Sequence, residues 1–190
     1  MNTYSLTVLA FAGALAAQTP ACFAANDQST AVTTGTSSFS FAGPNVVGWE
    51  FMPTQSQTIH AAQFFTANTS GAPTGEFMSV EIWDSTGIVP NTRLAGGTWD
   101  STAVTSWQGA NLDNAVALQA NTSYWIVFID PGWSTIPIEP GGPMPLPRAS
   151  FSNGTWVATS GSAPKFRLFC SPLDDQGAVS FGLPCQSSLS

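Results

Sequence analysis

The stretch VALQANTSYWIVFID, Val116 to Asp130, decides the fold class. Val116 and Leu118 alternate with Ala117 and Gln119, the period of a strand with one face turned inward. ANTS then interrupts the run, and Asn121 can take the left-handed backbone conformation that a tight turn demands. YWIVFID is apolar on both faces up to its last residue, which predicts a central strand covered from either side. Pro131 and Gly132 end it. A hairpin written this way belongs to a β protein.

The same grammar extends in both directions. Upstream, NVVGWEFMP, TIHAAQFFTA and FMSVEIWD read as strands. In the last of these Met78, Val80 and Ile82 face one way while Phe77, Ser79, Glu81 and Trp83 face the other. RLAGGTW, STAVTSW and NAVALQ follow, and after the opening stretch come RASFS, TWVAT and KFRLFC. Beyond the first 24 residues no window keeps apolar residues at helical spacing. Short strands punctuated by Gly, Pro, Asn and Ser predict an all-β fold, a single antiparallel β-sandwich of jelly-roll type over residues 39–170. Between the strands, Pro131–Arg148 holds six prolines and three glycines. That density predicts a long, stiffened surface loop packed on the domain through Trp133 and its apolar neighbours.

The ends carry different information. Leu6–Ala17 is an apolar run too short to span a bilayer, and Cys22 and Ala24 are small residues placed for a signal peptidase. Residues 1–24 are therefore expected to be a signal peptide of a secreted, extracellular protein, with 25–38 a flexible Ser/Thr-rich leader. TPAC offers a second reading, a lipoprotein box acylated at Cys22. Removing Cys22 leaves Cys170 and Cys185, an even pair in an oxidising compartment, and predicts a disulfide that staples the tail, residues 171–190.

The charge balance excludes several functions. Net charge is −7, and Arg93, Arg148, Lys165 and Arg167 are the four cations. Nucleic-acid affinity rests on neutralising phosphates, so neither nucleic acid nor an anionic membrane surface is an expected partner. Charged residues make up only 8% of the chain, and its polarity comes from hydroxyl and amide side chains instead.

GWEFMPTQSQTIHAAQFF, VEIWDSTGIVPNTRLAGGTW and VALQANTSYWIVF together resemble the secreted bacterial β-sandwich domains labelled choice-of-anchor or DUF4082-like. The resemblance runs from about Val46 to Asp130 and more loosely through KFRLF. It implies a jelly-roll-like surface module of the kind appended to enzymes or adhesins. Asn121 stands where that pattern usually has Gly, and no anchor helix follows the domain, which implies a freely secreted or non-covalently held protein.

No constellation for catalysis is apparent. His60 is the one histidine, mid-strand, and no G-x-S-x-G elbow presents a serine to it. The carboxylates include no pair whose separation the sequence fixes, as glycoside hydrolysis would need. The expectation is a protein that is not an enzyme and has no cofactor. Asp84, Asp113, Asn114 and Asp130 lie at strand ends or turns, so they could gather hard oxygen ligands for calcium, although turn formation explains them equally. Seven tryptophans are the remaining signal. Those in strands (Trp49, Trp83, Trp125 and Trp156) are expected to fill the core or cover a sheet. An exposed indole can stack on a sugar ring. Trp133 in the stiffened loop, with Asp130 three residues away, is the first candidate for such a platform, and Trp107 the second. The expected function is a non-catalytic module that binds an extracellular polysaccharide or cell-surface glycan. The alternative is a structural or adhesive matrix protein that self-associates.

Overall fold

The computed structural model describes residues 21–25, 45–66, 77–100, 102, 106–130, 147–160 and 164–174. Within them the chain forms ten strands: β1 (Ala21–Ala25), β2 (Asn45–Phe51), β3 (Gln57–Thr66), β4 (Phe77–Ser85), β5 (Pro90–Asp100), β6 (Ser106–Leu118), β7 (Tyr124–Asp130), β8 (Pro147–Ser152), β9 (Thr155–Ser160) and β10 (Phe166–Phe169). They make two antiparallel sheets, one ordered β1-β10-β3-β6 and the other β5-β4-β7-β2-β8-β9. The protein is a β-sandwich. The expected loop Pro131–Arg148 falls outside the described residues up to 146, and its last two residues open β8.

β7 occupies the place its composition predicts. It lies between β4 and β2, and its residues Tyr124 to Phe128 are all buried. Tyr124, Ile126 and Phe128 face the interior of the sandwich with Val47, Trp49 and Phe51 of β2 and Met78, Val80 and Ile82 of β4. From the opposite sheet come Ile59, Ala62 and Phe64 of β3, Val116 and Leu118 of β6, and Phe166 and Leu168 of β10. Aromatic edges lock the layers together: the Phe64 and Phe128 rings meet at 5.4 Å and 83°, and Phe51 and Phe166 at 5.7 Å and 64°. Each such side chain contributes about 1.5–3 kcal/mol by leaving water. Trp99 packs against the same core, its ring 6.1 Å from Phe128.

The turn before β7 has Asn121 at φ 56°, in the left-handed region. The Asn121 amide donates to the Pro53 carbonyl at 2.8 Å, and the Ala120 amide to Ser56 Oγ at 3.0 Å. The turn is thereby tied to the β2–β3 connection.

β6 differs from expectation. STAVTSW and NAVALQ read as separate strands, yet the strand runs unbroken from Ser106 to Leu118 through the turn-like GANLDN. The ladder with β3 explains why. It passes from Ile59 opposite Val116 to Ala61 opposite Asn111, so residues 112–115 bulge out of register. The bulge leans towards β5 of the other sheet and closes one side of the sandwich. Gly97 of β5 makes the approach feasible, since a Cβ there would collide with the Asn111 carbonyl oxygen and Ala110 Cβ.

Charge seals the same border. Arg93 of β5 donates from Nε to Glu81 Oε1 at 2.7 Å and from Nη2 to Asp113 Oδ2 at 2.8 Å, and the Gly96 amide donates to Asp113 Oδ1 at 3.0 Å. The Gly96 amide and the Arg93 guanidinium together hold the Asp113 carboxyl below its ordinary value near 3.8.

Candidate functional site

Side chains alternate along a strand, so each sheet has an outer face as well as a core face. On the six-stranded sheet the outer face is aromatic. Trp83 of β4 stands opposite Trp125 of β7, and Trp125 stands opposite Glu50 of β2. On the β8–β9 hairpin Phe151 and Trp156 face each other across the ladder. That hairpin closes through Asn153 (φ 52°) and Gly154 (φ 79°), the two positive dihedrals of a type I′ turn.

β4 and β9 lie four strands apart, which in a flat sheet at ~4.8 Å spacing would separate them by roughly 19 Å. The Trp83 and Trp156 rings nevertheless meet edge to face at 5.7 Å and 80°. The sheet therefore curls strongly, carrying the hairpin over its own outer face. Beneath the curl Trp125, Val127 and Ala149 are fully buried, with Val46, Trp83, Val89, Ile129 and Trp156 packed against them. Gly48 permits this layer: a Cβ there would crowd Val127, Trp125 and Pro90 at 3.2–3.4 Å.

Polar groups fix the indoles in place. Trp83 Nε1 donates to Glu81 Oε2 at 2.8 Å, and Trp125 Nε1 to Ser85 Oγ at 3.1 Å. Glu81 is held in turn by Arg93. Trp83 and Trp156 keep part of their surface in solvent, and Phe151, 5.3 Å from Trp156, is 43% exposed. Ile88, beside Val89 at the β4–β5 turn, is 74% exposed. The result is a half-open aromatic surface bordered by Glu50 and Glu81. Indoles held this way offer ring faces to an apolar or sugar surface at little entropic cost.

Trp133 lies outside the described residues. Asp130 ends β7 opposite Asn45, and only its backbone is described. Trp107 lies on the outer face of the four-stranded sheet, 7% exposed, with the Arg167 guanidinium 3.8 Å from its ring centroid and Phe65 against its edge at 5.3 Å. Gln63, opposite Arg167 in the ladder, is fully buried, and its side-chain amide has no hydrogen-bond partner among the described residues. The structure thus does not bring Trp107 to the aromatic surface on the other sheet. Trp83, Trp125, Trp156 and Phe151 form that surface instead. Trp83 was legible from its phase against Met78, Val80 and Ile82. Trp156 covers a sheet as expected of the strand tryptophans, whereas Phe151 carries no signal of its own beyond the Asn-Gly hairpin that sets it opposite Trp156.

Two of the candidate calcium ligands are engaged by other groups. Asp84 Oδ1 accepts from the Thr92 amide at 2.6 Å and from Asn91 Nδ2 at 3.1 Å, whereas Asp113 is held by Arg93 and Gly96. Among the described residues no three His, Cys, Asp or Glu side chains gather as a metal site. His60 is half-buried at the β3 bulge. Cys170, just past β10, is disulfide-bonded, and Cys185 lies outside the described residues. No helix among the described residues is long and apolar enough to cross a membrane.

Comparison with known proteins gives one family. A domain family described as a domain of unknown function, DUF4082, matches residues 30–135. Searches of curated proteins and of solved structures returned no match. The match spans more than half of the chain, from before β2 to beyond β7, and includes the Gly48-Trp49 strand and the Trp83–Trp125 pair. The chain is a member of the DUF4082 domain family.

Proposed function

We propose that this chain is an exported, non-catalytic binding module that holds an extracellular glycan or surface polymer on the outer face of its six-stranded sheet. The observation that carries the reading is the set Trp83, Trp156 and Phe151, partly exposed and rigidly backed by the buried Trp125. A pyranose ring presents axial C–H groups to an indole, and Glu50 beside Trp125 can accept from ring hydroxyls. The net charge of −7 favours a neutral, hydroxyl-rich polymer over an anionic one.

A glycan array and pull-down on insoluble polysaccharides test this with the exported protein. Trp156→Ala and Trp83→Ala should each abolish retention while leaving the fold intact, and Trp133→Ala should leave retention unchanged. Retention lost only with Trp133→Ala would move the site to the proline-rich loop. No retention of any glycan by the parent protein would remove the reading.

One observation favours a second reading, self-association as a matrix component. β9 is the edge of the six-stranded sheet among the described residues, and Val157 on it is 50% exposed. An exposed apolar edge can pair with a second copy. Concentration-dependent assembly without sugar, lost in Val157→Lys, would support that reading.

A further inference from the structure

The leader boundary expected from the sequence, between Ala24 and Ala25, falls inside a strand. β1 pairs with β10 along its length: Ala21 opposite Phe169, Phe23 opposite Leu168, Ala24 opposite Arg167 and Ala25 opposite Phe166, with a bulge between Ala21 and Phe23. A chain starting at Ala25 would retain only the last of these pairs.

β10 depends on that partner. It is four residues long and buried throughout, Phe166 and Leu168 in the core and Arg167 and Phe169 on the other face. It lies between β1 and β3 in the sheet. Without β1 its second side would present unpaired N–H and C=O groups from a strand whose side chains are already withdrawn from water. The four-stranded sheet would shrink to three strands facing six.

We infer that Ala21–Ala25 belongs to the mature domain and that proteolytic maturation occurs upstream, at the bond between Ala16 and Ala17. The inference rests on the reading that the chain is exported. Ala14-Leu15-Ala16 places alanine at both small-residue positions a signal peptidase reads, at the end of the apolar run. Hydrolysis there consumes one water and leaves a free α-amine on Ala17. A signal peptidase acts before folding, so the sheet does not shield Ala24. What the sheet supplies is a use for the four β1 residues, Ala21 to Ala24, that the downstream cut would separate. Cys22 then remains in the exported chain, which carries all three cysteines.

The test is the N-terminus of the full chain expressed with its leader in a secreting host, read by intact mass and N-terminal sequencing. A start at Ala17, with three cysteines counted after reduction and alkylation, is the expected result. A start at Ala25, or a lipid adduct on Cys22, overturns the inference and leaves export standing. An exported-fraction blank with Met1 retained in the cell overturns the export reading, and this inference with it. A second measurement addresses the sheet itself. Chains produced without a leader and starting at Ala17 or at Ala25 should differ in Tm by several degrees, the longer being more stable, and identical Tm values would overturn the role given to β1.

Discussion

Arg93 and Asp113 stand in opposite sheets and meet at 2.8 Å. The pair sits where β5 and the bulge of β6 converge, and its second carboxylate oxygen takes the Gly96 amide. Because the carboxyl titrates below its ordinary value near 3.8, the contact stabilises the fold fully above that pH and is lost as pH falls through the lowered value. Both side chains are more than a third exposed, so solvent screening limits the effect to about 1 kcal/mol or less. Asp113→Asn should therefore lower stability slightly at pH 7 and flatten the acid limb below about pH 4, measured by urea unfolding across pH.

The outer-face tryptophans should separate by burial. Trp125 is fully buried, and Trp125→Ala should cost about 3–5 kcal/mol through the cavity it leaves. Trp156 is partly exposed at the edge hairpin, so Trp156→Ala should cost much less. Chemical denaturation of the two variants checks the order.

Gly97→Ala is a one-methyl test of the sheet border. The added Cβ meets the backbone of Asn111 rather than a pliable side chain, so β5 and β6 must move apart. A loss of about 1–3 kcal/mol is expected, together with weakening of the Arg93–Asp113 contact, visible as a changed Asp113 titration by NMR.

Much of this arrangement was legible in the residues, and the limits have physical causes. Alternation in FMSVEIWD placed Met78, Val80 and Ile82 inward, and two-sided apolarity made β7 central. Asn121 was read correctly as a left-handed turn residue. Local pattern failed at β6, where GANLDN resembles a turn but Gly109 to Asn111 pair with β3 and Asp113 of the bulge is held by β5. It failed again at the aromatic surface. Trp83 and Trp156 are 73 residues apart, and their contact depends on sheet curl, a property of the assembled strands rather than of either segment.

Beyond β10 the chain is pinned to β6. The Leu173 amide donates to Asn111 Oδ1 at 2.6 Å, and Asn111 Nδ2 donates to the Leu173 carbonyl at 3.1 Å. Asn111→Ala removes both bonds and should cost about 1 kcal/mol. Faster hydrogen exchange at the Leu173 amide, without change in the β7 amides, is the expected signature.

The disulfide at Cys170 is open to peptide mapping under non-reducing conditions. With Cys185 as partner it closes a loop of about 15 residues, and Cys185→Ser should cost about 3 kcal/mol. A Cys22–Cys170 peptide in its place would transfer the staple to the N-terminal strand and would itself report that β1 is retained.

The order β1-β10-β3-β6 has a kinetic corollary, for no two neighbours in that sheet are consecutive in the chain. The hairpins β4–β5 and β8–β9 can close as soon as they are synthesised, but β3 must wait for β6 on one side and for β10, a hundred residues later, on the other. Loop-closure entropy is thus met late and all at once, which makes for slow, cooperative folding. Until Phe169 has emerged, the sheet that caps the core is limited to its β3–β6 pair. A chain organised this way completes its second sheet only when its last strand is available to join the first.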